Sequence, residues 1–342
     1  MSTSLLEELA SNNTSVGATS CTSADRLMKK AENVLSKKLH FGNRNKDAQK
    51  YFDQAAEIYM QSNMYSMAGE AYMKSGECFE AMGEPSRAAN TFSIASEAFM
   101  QDAMFDHSKD TFEKSLHALQ RASALYNENG QTAQAARKEK AIAEKLSEES
   151  IVDIDILHLA IEAYRRAVEL FEFQQAYATV NACLEQIGYL YVRVNDYLES
   201  SKVWEEILNS EWNRGNSTTG QASLVRHLET KYMFYCLLTR LAGMKDDYDD
   251  DDLDLYWMEL ENFEQRGQSF GNSREFELLV GVYKSFKERD LKVFLRVVKK
   301  TLEVAKLDEW SKQILLYIRK KLENAIRGSS VAEDEDGELD LT

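Results

Sequence analysis

AQKYFDQAAEIYMQSNMYSM at 48–67 is followed by AGEAYMKSGECFEAMGEPSR at 68–87, AANTFSIASEAFMQDAMFDH at 88–107 and SKDTFEKSLHALQ from Ser108. Four columns align. An aromatic recurs at Phe52, Tyr72, Phe92 and Phe112. Three residues on stands a small one, Ala55, Ser75, Ala95 or Ser115, and four further a large one, Tyr59, Phe79, Phe99 or Leu119. The spacing i, i+3, i+7 marks one face of an α-helix. Short breaks such as Gly83-Glu84-Pro85-Ser86 separate the lines, so two lines form a helical hairpin. A hairpin of this size cannot bury its apolar face alone, whereas stacked neighbours can. The ladder therefore predicts an all-α solenoid of tetratricopeptide-like helical hairpins. The pattern returns at Tyr164, Ala167 and Phe171, near Ile187 and Leu190, and at Tyr197, Ser200 and Trp204.

The totals agree. The chain has 342 residues, 44% of them hydrophobic, with one proline and fifteen glycines. Helix is permitted nearly everywhere, and alternating Val/Ile-rich runs are missing. A net charge of −16 argues against a general nucleic-acid binder, which needs a basic surface. Cys21, Cys78, Cys183 and Cys236 lie far apart without a C-x-x-C pair, so neither a zinc site nor a disulfide framework is indicated. Reduced cytosolic thiols are the simple reading. No apolar run approaches a membrane span, and the N-terminus lacks the plan of a signal peptide.

Residues 1–24, rich in Ser, Thr and Asn, read as a disordered leader. Helix is expected to begin near Ser23-Ala24-Asp25 with Asp25 as its cap. The solenoid is expected over 25–222. It includes a long helix at about 105–127 stopped by Asn129-Gly130, and another over 131–147. A Gly/Ser/Thr-rich break at 210–222 precedes a C-terminal helical bundle, 223–328, with helices near 255–265, 273–287, 289–304 and 308–326. The loop at 245–254 carries seven aspartates but lacks the D-x-D-x-D-G plan of a calcium loop, so it reads as solvated. Residues 329–342 read as an acidic flexible tail.

No catalytic motif is present: there is no G-x-x-x-x-G-K-[ST], G-x-S-x-G or H-E-x-x-H. The expectation is a non-enzyme without cofactor or metal. Three stretches draw attention instead. At 36–47, Lys37, Lys38, Arg44 and Lys46 surround Leu39 and Phe41. That composition suits either contact with an anionic membrane or a solvated loop whose Phe41 folds back on the first hairpin. Arg137, Lys138 and Lys140 form either a contact for an acidic helix or a salt-bridged surface facing Glu139 and Glu144. The acidic end, with leucines at its tip, reads as a short motif for a basic partner.

Several segments resemble the soluble NSF attachment proteins of the alpha/beta type, from about residue 25 onward. Phe270-Gly-Asn-Ser-Arg-Glu275 is similar to that family's F-x-D-S-R-E. Leu307-Asp308-Glu309-Trp310, followed by LLYIRKK at Leu315–Lys321, resembles its L-D-x-W … L-L-x-I-K-K, and Asp340-Leu341 its terminal acidic-D-L. The resemblance implies a right-handed twisted solenoid with a C-terminal bundle. It implies an adaptor in vesicle fusion and intracellular transport, ER–Golgi traffic included, on the cytosolic face of membranes. Its partners would be the SNARE complex of syntaxin-like, synaptobrevin-like and SNAP25-like helices, the NSF hexamer and a membrane surface, with no nucleic acid. Leu341 would stimulate the ATPase. Glu333, Asp334, Glu335, Asp336, Glu338 and Asp340 would face basic residues of NSF. A SNARE-contacting lysine falls at Arg137, with Lys138 and Lys140 beside it. Another falls near Ala182, where the charge is lost. The membrane loop falls on Lys37, Lys38, Leu39 and Phe41. The rival reading is a tetratricopeptide scaffold or co-chaperone that binds peptides without stimulating NSF.

Overall fold

The computed structural model describes residues 22–37, 42–106, 109–148, 151–215, 222–267, 269–304 and 306–335. Among them the regular structure is helical throughout. The helices are α1 (22–36), α2 (Arg44–Gln61), α3 (Tyr65–Ala81), α4 (Pro85–Asp106), α5 (Lys109–Glu128), α6 (Thr132–Leu146) and α7 (Ile154–Phe173). There follow α8 (Tyr177–Arg193), α9 (Tyr197–Gly215), α10 (Ala222–Gly243), α11 (Asp250–Arg266), α12 (Arg274–Lys287), α13 (Leu291–Val304) and α14 (Glu309–Glu335). Successive helices from α2 to α6 pack on one another as hairpins, and the chain is an all-α solenoid. It comprises two compact units, Met1–Ile151 with Glu162–Tyr177, and Val152–Ile161 with Ala178–Thr342.

The twenty-residue ladder is the core of the first unit. Its small column, Ala55, Ser75, Ala95 and Ser115, is fully buried, and the large column beside it is nearly so. Close approach depends on glycine. Phe92 of α4 lies on Gly76 of α3, where an added Cβ would stand 2.5 Å from the ring. Phe99 lies on Gly69, leaving 2.7 Å. Both pairs have the same residue-number sum, as an antiparallel hairpin requires. Farther on, Ser96 and Ser115 share a hydrogen bond of 2.9 Å between α4 and α5. Lys114 of α5 reaches Glu70 of α3 at 3.2 Å, and Arg121 reaches Glu77 at 3.2 Å. Lys74 of α3 likewise pairs with Glu32 of α1. These pairs make α1, α3 and α5 neighbours in one layer, with α2 and α4 beneath.

The turns repeat one device. Asn63, Gly83, Gly130, Gln175, Asn195 and Arg289 all have φ between +48° and +72°. After each comes an N–H that bonds five residues back, as from Met64 to Tyr59 at 2.9 Å and Asp196 to Tyr191 at 2.8 Å. This Schellman closure satisfies the last carbonyls of one helix and aims the next. Two of the six positions are glycine and two are asparagine, the residues that enter this conformation most readily, whereas Gln175 and Arg289 carry no such mark.

Four expectations are corrected. Helix α1 begins at residue 22 and already includes Asp25 in its first turn, where the carboxylate accepts the Tyr59 hydroxyl at 2.5 Å. Residues 105–106 end α4, and α5 begins at Lys109. The aspartate loop is partly helix: Asp249 caps α11 in a reciprocal pair with Asp252, and Asp250–Asp252 form its first turn. Carboxylates suit that position because they face the positive end of the helix. Finally, α14 runs to Glu335 through the start of the predicted tail, since one glycine at 328 costs only about 1 kcal/mol and the following residues include helix formers.

Gly76→Val should destabilise the chain by about 1–3 kcal/mol, the usual cost of overpacking. Denaturant melts would report it. Adding Phe92→Ala should recover part of the loss relative to the sum of the single changes, and strict additivity would contradict the ring-on-glycine contact.

Candidate functional site

Helix α6 buries Ala135, Ala136, Glu139, Ile142, Ala143 and Leu146. At about 100° per residue, Arg137 points away from that face, and Lys138 and Lys140 flank it on opposite sides. The three cations therefore do not share one edge. Arg137 is exposed, and neither it nor Lys138 has an ion-pair partner among the described residues. Lys140 is held by Glu144 at 2.7 Å. Glu139 is turned away from the cluster: it is 6% exposed and answered by Arg166 of α7 at 2.9 Å. Lys145, seven residues from Lys138, joins the Arg137–Lys138 side and bonds Glu148 at 3.2 Å. The sequence reading missed it, although i, i+7 spacing marks it. Ala182 on α8 is exposed, and one turn on Glu185 binds Lys231 of α10 at 3.1 Å.

In the second unit, the segments singled out near the C-terminus meet around one cavity of about 560 Å³. Ser273 and Glu275 line it from one side, Leu307 and Asp308 from another, and Lys231 and Tyr235 from α10. Each residue has a structural task. Phe270 is fully buried and lies edge-on to Phe276. Ser273 caps α12 by accepting the Phe276 N–H at 3.1 Å. Arg274 donates to the Val304 carbonyl. Asp308 caps α14 through the Ser311 N–H at 2.8 Å and accepts the Tyr235 hydroxyl at 2.8 Å. Trp310 joins Tyr189, Trp204 and Tyr235, with centroids 5.2, 5.7 and 4.6 Å away. Trp204 itself rests on Gly188, where a Cβ would leave 2.6 Å. Its indole donates to Ser200 at 3.1 Å, and the Ser200 hydroxyl donates to the Gly188 carbonyl at 2.8 Å.

Lys321 completes the junction. Its side chain is 5% exposed. The ammonium donates to the Ala242 carbonyl at 2.8 Å and to that of Met244, closing the end of α10, with Asp246 at 3.5 Å. Burial pushes its pKa below the ordinary lysine value. The arrangement is one of positioning: caps, rings and a buried cation fix α14 on α10.

The other expected site residues lie partly outside the described residues. Lys37 is exposed, Gly42 bends the chain with φ +109°, and Asn43 caps α2. Lys38, Leu39 and Phe41 lie outside. Glu333, Asp334 and Glu335 belong to α14. Asp336, Glu338, Asp340 and Leu341 lie outside. Among the described residues no helix is long and apolar enough to cross a membrane.

The family model described as "Soluble NSF attachment protein, SNAP" matches residues 22–323. An alpha-soluble NSF attachment protein of Vitis vinifera is 21% identical over 311 residues, covering 91% of this chain and 96% of its own. A beta-soluble NSF attachment protein of Bos taurus is 22% identical over 295 residues, 86% and 90% of the two chains. A probable vesicular-fusion protein sec17 homolog of Neurospora crassa is 24% identical over 289 residues, 83% and 90%.

The buried phenols make the second unit sensitive to alkali. Burial raises the pKa of Tyr197 to about 12. Burial first, then the Glu185 carboxylate, raises that of Tyr232, and burial with Tyr189 and Asp308 raises that of Tyr235. Unfolded tyrosine ionises near pH ~10. A raised folded value means this stability is fully present below about pH 10 and is lost as pH rises from there. Lys321 acts in the opposite direction, as one group against several. Denaturant midpoints should hold to about pH 9.5 and then fall, less steeply in Tyr235→Phe. A flat profile to about pH 12 would contradict the burial of these rings.

Proposed function

The chain belongs to the soluble NSF attachment protein family, and from that premise we propose that it is an adaptor which binds assembled SNARE complexes and brings NSF to them. It performs no chemistry of its own. NSF spends ATP to unwind the SNARE bundle, and this chain transmits the pull.

The observation that carries the reading is the pair Arg137 and Lys138. Among the described residues neither cation has an ion-pair partner, on α6 of a chain whose net charge is −16. In so acidic a protein, cations without internal carboxylate partners favour an acidic partner, here the syntaxin-like, synaptobrevin-like and SNAP25-like helices. Lys140, already held by Glu144, contributes less. Residues 25–222 grip the bundle, and 223–328 carry the tail. Glu333, Asp334 and Glu335 continue α14, and Asp336, Glu338 and Asp340 lead to Leu341, which engages and stimulates NSF. The loop with Lys37, Lys38, Leu39 and Phe41 touches the cytosolic face of the membrane served.

Charge reversal tests the grip. Arg137→Glu with Lys138→Glu should weaken capture of a purified SNARE complex by about tenfold or more, most at low salt where screening is least. Lys140→Glu alone should cost less. Equal loss at high and low salt would remove the electrostatic contact. The tail is tested separately. Leu341→Ala should leave SNARE binding intact and abolish stimulation of NSF ATPase; unchanged ATPase activity would sink the role given to Leu341.

A further inference from the structure

Helix α13 is unlike the rest of this acidic chain. LKVFLRVVKKTLEV at Leu291–Val304 holds Lys292, Arg296, Lys299 and Lys300 against one carboxylate, Glu303. Phe294 and Thr301 face the core, and Val297 packs on Gly281 of α12. Leu291, Leu295, Val298 and Leu302 follow at i, i+4, i+7 and i+11. They form a stripe spanning about 60° of the helix beside the core face. That stripe is open: Leu295 is 43% and Leu302 46% exposed. Lys292, Arg296 and Lys299 each stand one position farther round, so a basic row borders the apolar stripe on its outer side. None of these three has an ion-pair partner among the described residues, whereas Lys300 reaches Glu277 at 3.7 Å.

We infer that the outer face of α13 is a second membrane-contacting surface, for an anionic lipid bilayer. An apolar stripe flanked by free Lys and Arg is the pattern of a helix lying in the headgroup region, leucines inward and cations at the phosphates. Each cation near such a surface adds attraction that the overall charge of −16 opposes. The pattern favours a bilayer over an acidic partner helix: a row of three cations without ion-pair partners among the described residues runs along one side of an exposed apolar stripe, as in a helix lying at an interface, while α13 packs chiefly on α12 and secondarily on α14. The inference does not depend on the roles proposed for α6 or Leu341.

The test must separate this face from the loop at 36–47. Full-length chain carrying Leu39→Ser and Phe41→Ser is floated with vesicles of phosphatidylcholine, alone or mixed with phosphatidylserine. Residual binding is expected on the anionic vesicles only, falling with salt. Arg296→Glu with Lys299→Glu should reduce it at least about tenfold, and so should Leu295→Ser with Leu302→Ser, each without a change in thermal midpoint. The inference is overturned if the loop variant binds neither vesicle or if α13 substitutions leave anionic binding unchanged. It is equally overturned if those substitutions spare vesicles and abolish capture of a SNARE complex, which would make the face a site for an acidic helix.

Discussion

A ring laid on a glycine sets the spacing of this protein's helices. Phe92 on Gly76, Phe99 on Gly69 and Trp204 on Gly188 leave no room for a Cβ. Each contact brings two helix backbones together over a ring that is itself fully or nearly buried. Interiors are close-packed, so a spacing fixed this way is stiff. The left-handed turn residues then aim each new helix, as Gly83 does between α3 and α4. Spacing and turn together turn a weak sequence repeat into a solenoid unit.

The second unit holds its last helix by other means. Asp308 and Ser273 cap helices, Trp310 fills an aromatic cluster, and Lys321 closes the end of α10 from α14. Removing one partner from such a buried arrangement leaves polar atoms unpaired, which costs about 1–3 kcal/mol each. Phe270, Ser273, Arg274, Asp308 and Trp310 therefore serve the fold. They fix the helix that leads into the acidic end of the chain. Surfaces left without internal partners, Arg137 with Lys138 and the basic row of α13, are where binding is sought.

Much of the fold was legible. The column of Ala55, Ser75, Ala95 and Ser115 announced close helix contact, and all four are fully buried. Tyr164, Ala167 and Phe171 repeat it with similar burial. Turns at Gln175 and Arg289 were less visible because neither glycine nor asparagine marks them. Their left-handed conformation is sustained by hydrogen bonds to the preceding helix, which residue type does not reveal. Asp25 illustrates a similar limit: a good cap residue lies in the first turn of α1, where it accepts the Tyr59 hydroxyl from α2. The candidate site was less legible than the fold. Arg137, Lys138 and Lys140 are neighbours in sequence, yet helical rotation separates Lys138 from Lys140, and Glu144 claims the latter. Glu139, expected to face the cluster, turns inward to Arg166.

The adaptor proposed here couples a SNARE bundle to an ATPase through a helical solenoid. The direct measurement is reconstitution: the purified chain, an NSF-type ATPase, ATP and a fluorescently labelled SNARE complex, with loss of energy transfer as the readout. Disassembly is expected to require both the chain and ATP hydrolysis. Bundles that stay intact while the chain is bound to them, with the ATPase active, would contradict it.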